Sequence, residues 1–230
     1  MNTPDQLIFT SVKEKHLEVD ATLKHLVKIH NSAKELFILA EELDAEGFSD
    51  FLQPVLEIRH SMEHVVRGLY HRLFESYEKD ADFDYIRRCY EKALGHEYRC
   101  FFDSADWISV RYREKIIKSL KGFDAECIHG AIPNWYSKLN PRAEAINKEI
   151  ADIRSNKDIS KGHQVVDEIE HYQGVLSELT STYEVIQNSM PSLIELRSKQ
   201  RRKFAGKIVG AILLAILSAT IGSVVTAVSR

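Results

Sequence analysis

KIVGAILLAILSATIGSVVTAVSR, residues 207–230, ends the chain with 21 consecutive residues, Ile208–Val228, that carry no charge and no proline. At about 1.5 Å per residue, a helix of this length spans roughly 31 Å, the thickness of the hydrocarbon core of a bilayer. A helix also lets a single segment satisfy its own backbone in lipid. The run therefore predicts a transmembrane helix in a tail-anchored, single-pass protein.

The charges of the chain are sharply segregated. All 34 acidic residues precede Ile208, and residues 1–196 hold 24 basic residues, which gives this body a formal charge of −10. A short basic segment, here called the collar, follows the body. It consists of Arg197, Lys199, Arg201, Arg202, Lys203 and Lys207. The collar predicts contact with the lipid surface and a body on the cytoplasmic side of the cell's inner (plasma) membrane. The acidic body argues against direct DNA binding.

Small residues recur along the predicted span. They are Gly206, Gly210, Ala211, Ala215, Ala219 and Gly222. Small residues at a spacing of three or four let helices approach closely in lipid. The pattern predicts a homo-oligomer formed through the span.

The body shows helical periodicity and no strand-like alternation of useful length, so the fold class is all-α, a helical bundle. The expected organisation is a cytosolic bundle over 1–160, a long heptad-patterned helix over 161–196, the collar over 197–207 and the span over 208–228. The heptad pattern predicts either packing inside the chain's own bundle or an intermolecular coiled coil. Its apolar positions are Ile169, Tyr172, Leu176, Leu179, Tyr183, Ile186, Met190 and Leu193.

Two further patterns concern the first 80 residues. Asn31 and Ser32 predict a break between a first helix and a short second helix that stops at Gly47. A third helix is expected from Ser49 to about Tyr77. Its apolar residues recur every three or four positions and predict the face that packs on the core. They are Leu52, Val55, Ile58, Met62, Val65, Leu69 and Leu73.

The same third helix carries the densest polar pattern of the chain, LEIRHSMEHVVRGLYHRLF. We call these residues the polar stripe: Arg59, His60, Glu63, His64, Arg67 and His71. At helical spacing His60, His64, Arg67 and His71 share one face, with Arg59 and Glu63 expected to pair beside them. One interpretation is structural, with the stripe docking against the charged helix that contains Arg99, Asp103 and Asp106.

A second interpretation of the stripe is a metal site. His60 and His64 form an H-x-x-x-H pair that zinc can use, but a site needs further ligands, which His96 or a cysteine would have to supply from another helix. No ligand set is complete in sequence, and no cofactor motif is present. The sequence therefore predicts neither a metal nor a cofactor.

A third interpretation is catalytic. The segment RHSMEH, Arg59 to His64, resembles the R-polar-x-x-x-H motif of HEPN domains, which are helical bundles that often cut RNA as dimers. The resemblance implies that Arg59 and His64 act on the scissile phosphate. It covers six residues of the chain.

As a whole, the expected architecture is similar to that of small bacterial anti-phage defence effectors, in which a helical body is joined to a membrane span. The resemblance implies an abortive-infection effector held silent by an inhibitory protein or ribonucleoprotein partner. Two other hypotheses remain open: a membrane-tethered ribonuclease that uses Arg59 and His64, and a non-toxic membrane adaptor.

Overall fold

The chain is all-α in a computed structural model that describes residues 4–43, 51–74, 80–156 and 165–228. Side-chain burial is described between 14 and 216 within these ranges, apart from a few residues beside the gaps. The helices are α1 (Pro4–Leu43), α2 (Leu52–Phe74), α3 (Asp80–Leu120), α4 (Ala125–Ala131), α5 (Asn140–Asn156) and α6 (Val165–Val228). A π-helical turn, Trp135–Leu139, precedes α5.

The predicted membrane span is contradicted. Among the residues that the structure describes, no helix has both the length and the apolar character needed to cross a membrane. The side chains of the predicted span are described for Ile208–Ile216. The remainder of the predicted span, 217–228, lies outside the described side chains. The same finding contradicts the tail anchor and the single-pass location in the plasma membrane.

The predicted break after the first helix is also wrong, because α1 continues through Asn31 and Ser32 to Leu43. Ile29, Ala33 and Leu36 are buried on one face across this point. Their packing outweighs the weak helix propensity of Asn and Ser. The predicted helix boundaries at Gly47, Ser49 and Tyr77 lie outside the described residues.

The chain divides into two compact units, residues 1–115 with 145–180 and residues 116–144 with 181–230. The core of the first unit is rich in aromatic side chains. Its fully buried members include Phe51, Tyr90, Tyr98, Phe101, Phe102 and Tyr172. The heptad positions Ile169 to Leu179 of α6 are all buried in this unit, so they pack within their own chain rather than in an intermolecular coiled coil.

The second unit is organised around α4 and the π-helical turn. Gly122 adopts a φ of +91° between α3 and α4, a left-handed conformation that favours glycine. The Asp124 side chain accepts a hydrogen bond from the Cys127 backbone N–H at 2.8 Å and caps α4. The buried core of this unit includes Cys127, Ile128, Ile132, Trp135, Ile186 and Leu193.

The pairing of α2 with α3 in the first unit positions the candidate site. Glu57 contacts His96, Gly68 lies against Tyr90, and His71 contacts Asp82. Residue numbers rise along α2 as they fall along α3, so the two helices are antiparallel. The close approach at Gly68 is possible because a glycine has no Cβ.

The face of α2 that packs inward is not the predicted one. Its buried residues are Pro54, Glu57, Ser61 and Gly68. Leu52, Val55, Met62 and Leu73 were predicted to face the core, yet their residue exposures lie between 41 and 69%. The other three predicted core residues, Ile58, Val65 and Leu69, are half-buried. The period of the pattern was correct, but the predicted face packs on the core only in part.

Candidate functional site

A buried carboxylate on α2 organises the site. Glu57 Oε2 accepts a hydrogen bond from His96 Nδ1 at 2.6 Å and one from Arg99 Nε at 2.9 Å. Its other oxygen accepts from Gln53 Nε2 at 3.0 Å. Burial raises the pKa of Glu57, but the hydrogen bonds and positive charges of His96 and Arg99 lower it further than burial raises it. Glu57 is therefore ionised at neutral pH and holds two α3 side chains in place.

Three histidine rings gather beside this carboxylate. The His60 and His64 rings lie 5.3 and 5.4 Å from the His96 ring, measured between centroids, and His64 stacks on His96 with 18° between the ring planes. His96 Nδ1 lies 2.6 Å from the Glu57 carboxylate and donates a hydrogen bond to it. The structure thus brings His96 from another helix to the two stripe histidines.

The cluster also contains the only set of potential metal ligands among the described residues. Ligand atoms of Glu57, His60 and His96 lie within 4.8 Å of one another. However, Arg99 donates to the same Glu57 oxygen, and its Nη2 lies 2.7 Å from His96 Nδ1. A positive guanidinium at this position opposes a metal cation. The geometry favours an ion-paired network over a metal centre.

His64 stands at the edge of the cluster and is half-buried. Burial lowers its pKa, and the positive charges of His96, Lys92 and Arg67 lower it further, while Glu63 opposes them. A neutral imidazole at pH 7 can accept a proton, which is what a general base requires. Within the polar stripe, His64 is therefore the residue best suited to act as a general base.

A pocket of about 280 Å³ opens next to His64. Its lining residues are His64, Arg67, Tyr85, Arg88, Cys89 and Lys92. None of them is acidic. Arg67 pairs with Glu63, whereas Arg88 and Lys92 have no acidic partner within the described part of the chain. The pocket is therefore suited to an anion.

The residues that line the pocket recur at helical spacing on α2 and on α3. His64 and Arg67 lie three residues apart on α2, while Tyr85, Arg88, Cys89 and Lys92 recur at intervals of three and four on α3. Sequence reasoning missed the α3 residues. Their helical spacing was visible, but nothing in the sequence showed that this face meets His64.

The structure does not bring Arg59 to His64 within one chain. The two residues are five positions apart, about 140° around the helix, and Arg59 is exposed while His64 faces α3. Nor does Arg59 pair with Glu63 as expected, because Glu63 pairs with Arg67. At the other end of the stripe, His71 Nε2 lies 3.3 Å from Asp82. Contacts to α3 therefore hold much of the stripe.

Cys100 is not a candidate nucleophile, whereas Cys89 lines the pocket. All three cysteines are free and buried. Burial, with the negative charge of Glu97 second, raises the pKa of the Cys100 thiol to about 12. A thiol with this pKa stays protonated at neutral pH and is a poor nucleophile.

The predicted membrane-facing residues are mostly exposed. Lys199 pairs with Glu195 at 2.7 Å, and Arg197 lies 5.4 Å above the Phe123 ring. In the described part of the chain, a Cβ added at Gly206 or Gly210 would have no neighbouring heavy atom within 4 Å. Ala211 and Ala215 are exposed, and Ala219 and Gly222 lie outside the described side chains. Lipid contact and self-association at these positions stay predictions.

Comparison with protein families, with curated proteins and with solved structures finds no match to this chain. The resemblances to HEPN domains and to defence effectors therefore stay predictions. The same holds for an inhibitory protein or ribonucleoprotein partner.

The lowered pKa of His64 predicts an acid-sensitive fold. The unfolded chain protonates this histidine near its ordinary pKa of about 6.5, whereas the folded chain resists protonation. Stability contributed by neutral His64 is therefore present above that pH and is lost as pH falls through the folded pKa. Melting temperatures measured between pH 7.5 and 5 should fall less in His64→Gln than in the parent. His171→Gln, at an exposed position on α6, is the control and should follow the parent. Equal slopes in all three proteins would contradict the prediction.

Proposed function

We propose that this protein is a helical ribonuclease whose basic pocket binds a phosphodiester of RNA and whose His64 acts as the general base. The observation that carries the proposal is the position of His64, with its lowered pKa, on the wall of a pocket whose other charged residues are all cationic. The proposal keeps His64 from the RHSMEH segment and replaces Arg59 with Arg88 and Lys92.

The chemistry follows from these groups. His64 would remove the proton from a ribose 2′-hydroxyl, whose oxygen then attacks the adjacent phosphorus and displaces the 5′-oxygen. Arg88 and Lys92 would stabilise the negative charge that develops on the phosphate oxygens. The 5′-oxygen leaves with a proton taken from solvent water, and His64 later gives the proton that it accepted back to solvent, so the products are a 2′,3′-cyclic phosphate and a 5′-hydroxyl. DNA lacks the 2′-hydroxyl and would not be cut.

The size of the pocket and the charge of the body limit how RNA can bind. A pocket of about 280 Å³ lies just below the usual range for ligand sites, about 300–1,000 Å³. The rest of the body is acidic and repels a polyanion. Recognition is thus confined to one or two phosphates of a flexible single strand. The salt dependence of binding should have a slope of roughly 1–2, because few counterions are released.

The test is binding and cleavage of a labelled single-stranded RNA by the purified full chain. Replacing Arg88 and Lys92 together with alanine should weaken binding by at least about tenfold, because a charge-assisted hydrogen bond contributes about 1.5–3 kcal/mol. Arg87→Ala is the matched control, since Arg87 already pairs with Asp84 and Glu91 at 3.4 and 2.9 Å. His64→Asn should bind RNA and fail to cut it.

Two results would overturn the proposal. Equal loss of binding in Arg87→Ala and in the double variant would show that RNA contacts the surface without selectivity. Cleavage that survives in a folded His64→Asn protein would remove His64 from the reaction.

A further inference from the structure

Helix α2 exposes a mainly apolar surface, here called the outer face, with the charged side chains of Arg59 and Glu63 among its apolar ones. Its apolar residues are Leu52, Val55, Met62, Val66, Tyr70, Leu73 and Phe74, with residue exposures from 41 to 74%. At 100° per residue these seven positions fall within an arc of about 120°. Scattered exposed apolar residues need no explanation, but a contiguous patch along a whole helix marks an interaction surface.

The area of the outer face matches that of a stable interface. At roughly 200 Å² for a fully exposed large side chain, the seven exposures amount to about 800 Å², which is what one partner contributes to an interface of standard size. The inward face of the same helix buries Pro54, Glu57, Ser61 and Gly68 instead. The helix therefore exposes its most apolar side to water unless another protein surface covers it.

We propose that a second copy of this chain covers the outer face, with the two α2 helices packed antiparallel about a two-fold axis near Met62. The apolar positions extend almost evenly to either side of this point, from Leu52 to Phe74. A two-fold axis there places Leu52 opposite Leu73 of the second copy and Val55 opposite its Tyr70. Closed two-fold dimers of this kind use the same patch on both subunits.

The charges on the outer face favour the antiparallel arrangement. Arg59 and Glu63 both lie within the arc; Arg59 has no acidic partner among the described residues, whereas Glu63 pairs with Arg67 on its own helix. Parallel packing would set the two Arg59 side chains against each other. Antiparallel packing separates them by about seven residues, roughly 10 Å, and brings each within one turn of Glu63 of the second copy.

This dimer does not depend on the proposed ribonuclease activity. His64 and the pocket residues of α3 lie outside the arc of the outer face, so loss of the dimer and loss of RNA binding are separate results.

The test uses the full chain and one introduced cysteine. The three native cysteines are buried, so Met62→Cys places a reactive thiol next to the proposed axis. Val27→Cys is the matched control, because Val27 on α1 is 50% exposed and Met62 is 48% exposed. A short bismaleimide should join two Met62→Cys chains in high yield and two Val27→Cys chains only at the background level.

A second variant measures the association itself. Val66→Asp buries an unpaired charge in the interface and should raise the dissociation constant by roughly 100-fold or more. Sedimentation equilibrium reports this constant, and circular dichroism checks the fold, with Val27→Asp as the control. Equal cross-linking of the two cysteine variants would overturn the dimer. An unchanged dissociation constant in a folded Val66→Asp protein would also overturn it, as would a monomeric parent chain whose outer face binds a different protein.

Discussion

Replacing Glu57 with alanine is expected to lower the free energy of unfolding by about 2–3 kcal/mol, less than the roughly 3–5 kcal/mol of a fully buried ion pair, because the Arg99 side chain is 38% exposed. The Glu57 carboxylate is almost fully buried and holds His96 at 2.6 Å and Arg99 at 2.9 Å. Without it, the Arg99 guanidinium and His96 Nδ1 face each other at 2.7 Å with no negative charge between them. Urea unfolding at pH 7 would measure the loss.

Glu63→Ala is the matched control for this prediction. Glu63 lies on the same helix and also pairs with an arginine, but both side chains are more than half exposed. An exposed pair of this kind contributes about 0.3–0.5 kcal/mol. Similar losses in Glu57→Ala and Glu63→Ala would show that the Glu57 network does not hold α2 against α3.

The dependence on pH gives the same experiment a second readout. Because the pKa of Glu57 is lowered in the folded chain, its contribution is present above the ordinary glutamate pKa of about 4.3. The contribution is lost as pH falls through the lower folded pKa. The difference in stability between the parent and Glu57→Gln should therefore be largest near neutral pH and should shrink below about pH 4.

The helical class and the apolar side of α6 could be predicted, because both follow from local periodicity. Ile169, Tyr172 and Leu176 keep one spacing, and this spacing sets which side of the helix is apolar. Periodicity does not determine which other helix packs against the apolar side. On α2 much of the apolar side is exposed and contributes to the outer face. The opposite side packs on α3, because the small residues Gly68 and Ser61 allow a close approach.

The candidate site was predictable on α2 and not on α3. The stripe histidines share a face at helical spacing, which sequence alone shows. The pocket also requires the register between α2 and α3, so that Arg88 and Lys92 stand opposite His64. Long-range contacts fix this register, and no local pattern reports it. The predicted span rested on the uncharged composition of one run, and among the described residues no helix has the length and apolar character needed to cross a membrane.

The register of α2 against α3 rests on Gly68, and a side chain there should disrupt the first unit. A Cβ at this position would lie 2.7 Å from Tyr90 Cε1 and 3.3 Å from Cys89 Cβ. The Tyr90 ring is fully buried and cannot move aside into solvent. Gly68→Ala should cost about 1–3 kcal/mol through overpacking, although alanine favours a helix over glycine by about 1 kcal/mol.

Gly68→Leu should cost more than about 4 kcal/mol, because its branched side chain must displace the ring, and the variant should lose the pocket together with the α2–α3 packing. Gly174→Ala is the control. Gly174 lies on α6 with no atom within 4 Å of an added Cβ, so this change should stabilise the chain by up to about 1 kcal/mol. Chemical denaturation of the three variants would measure these differences. If Gly68→Ala gains stability as Gly174→Ala does, Tyr90 can yield, and the position of Arg88 and Lys92 opposite His64 is then not fixed by this contact.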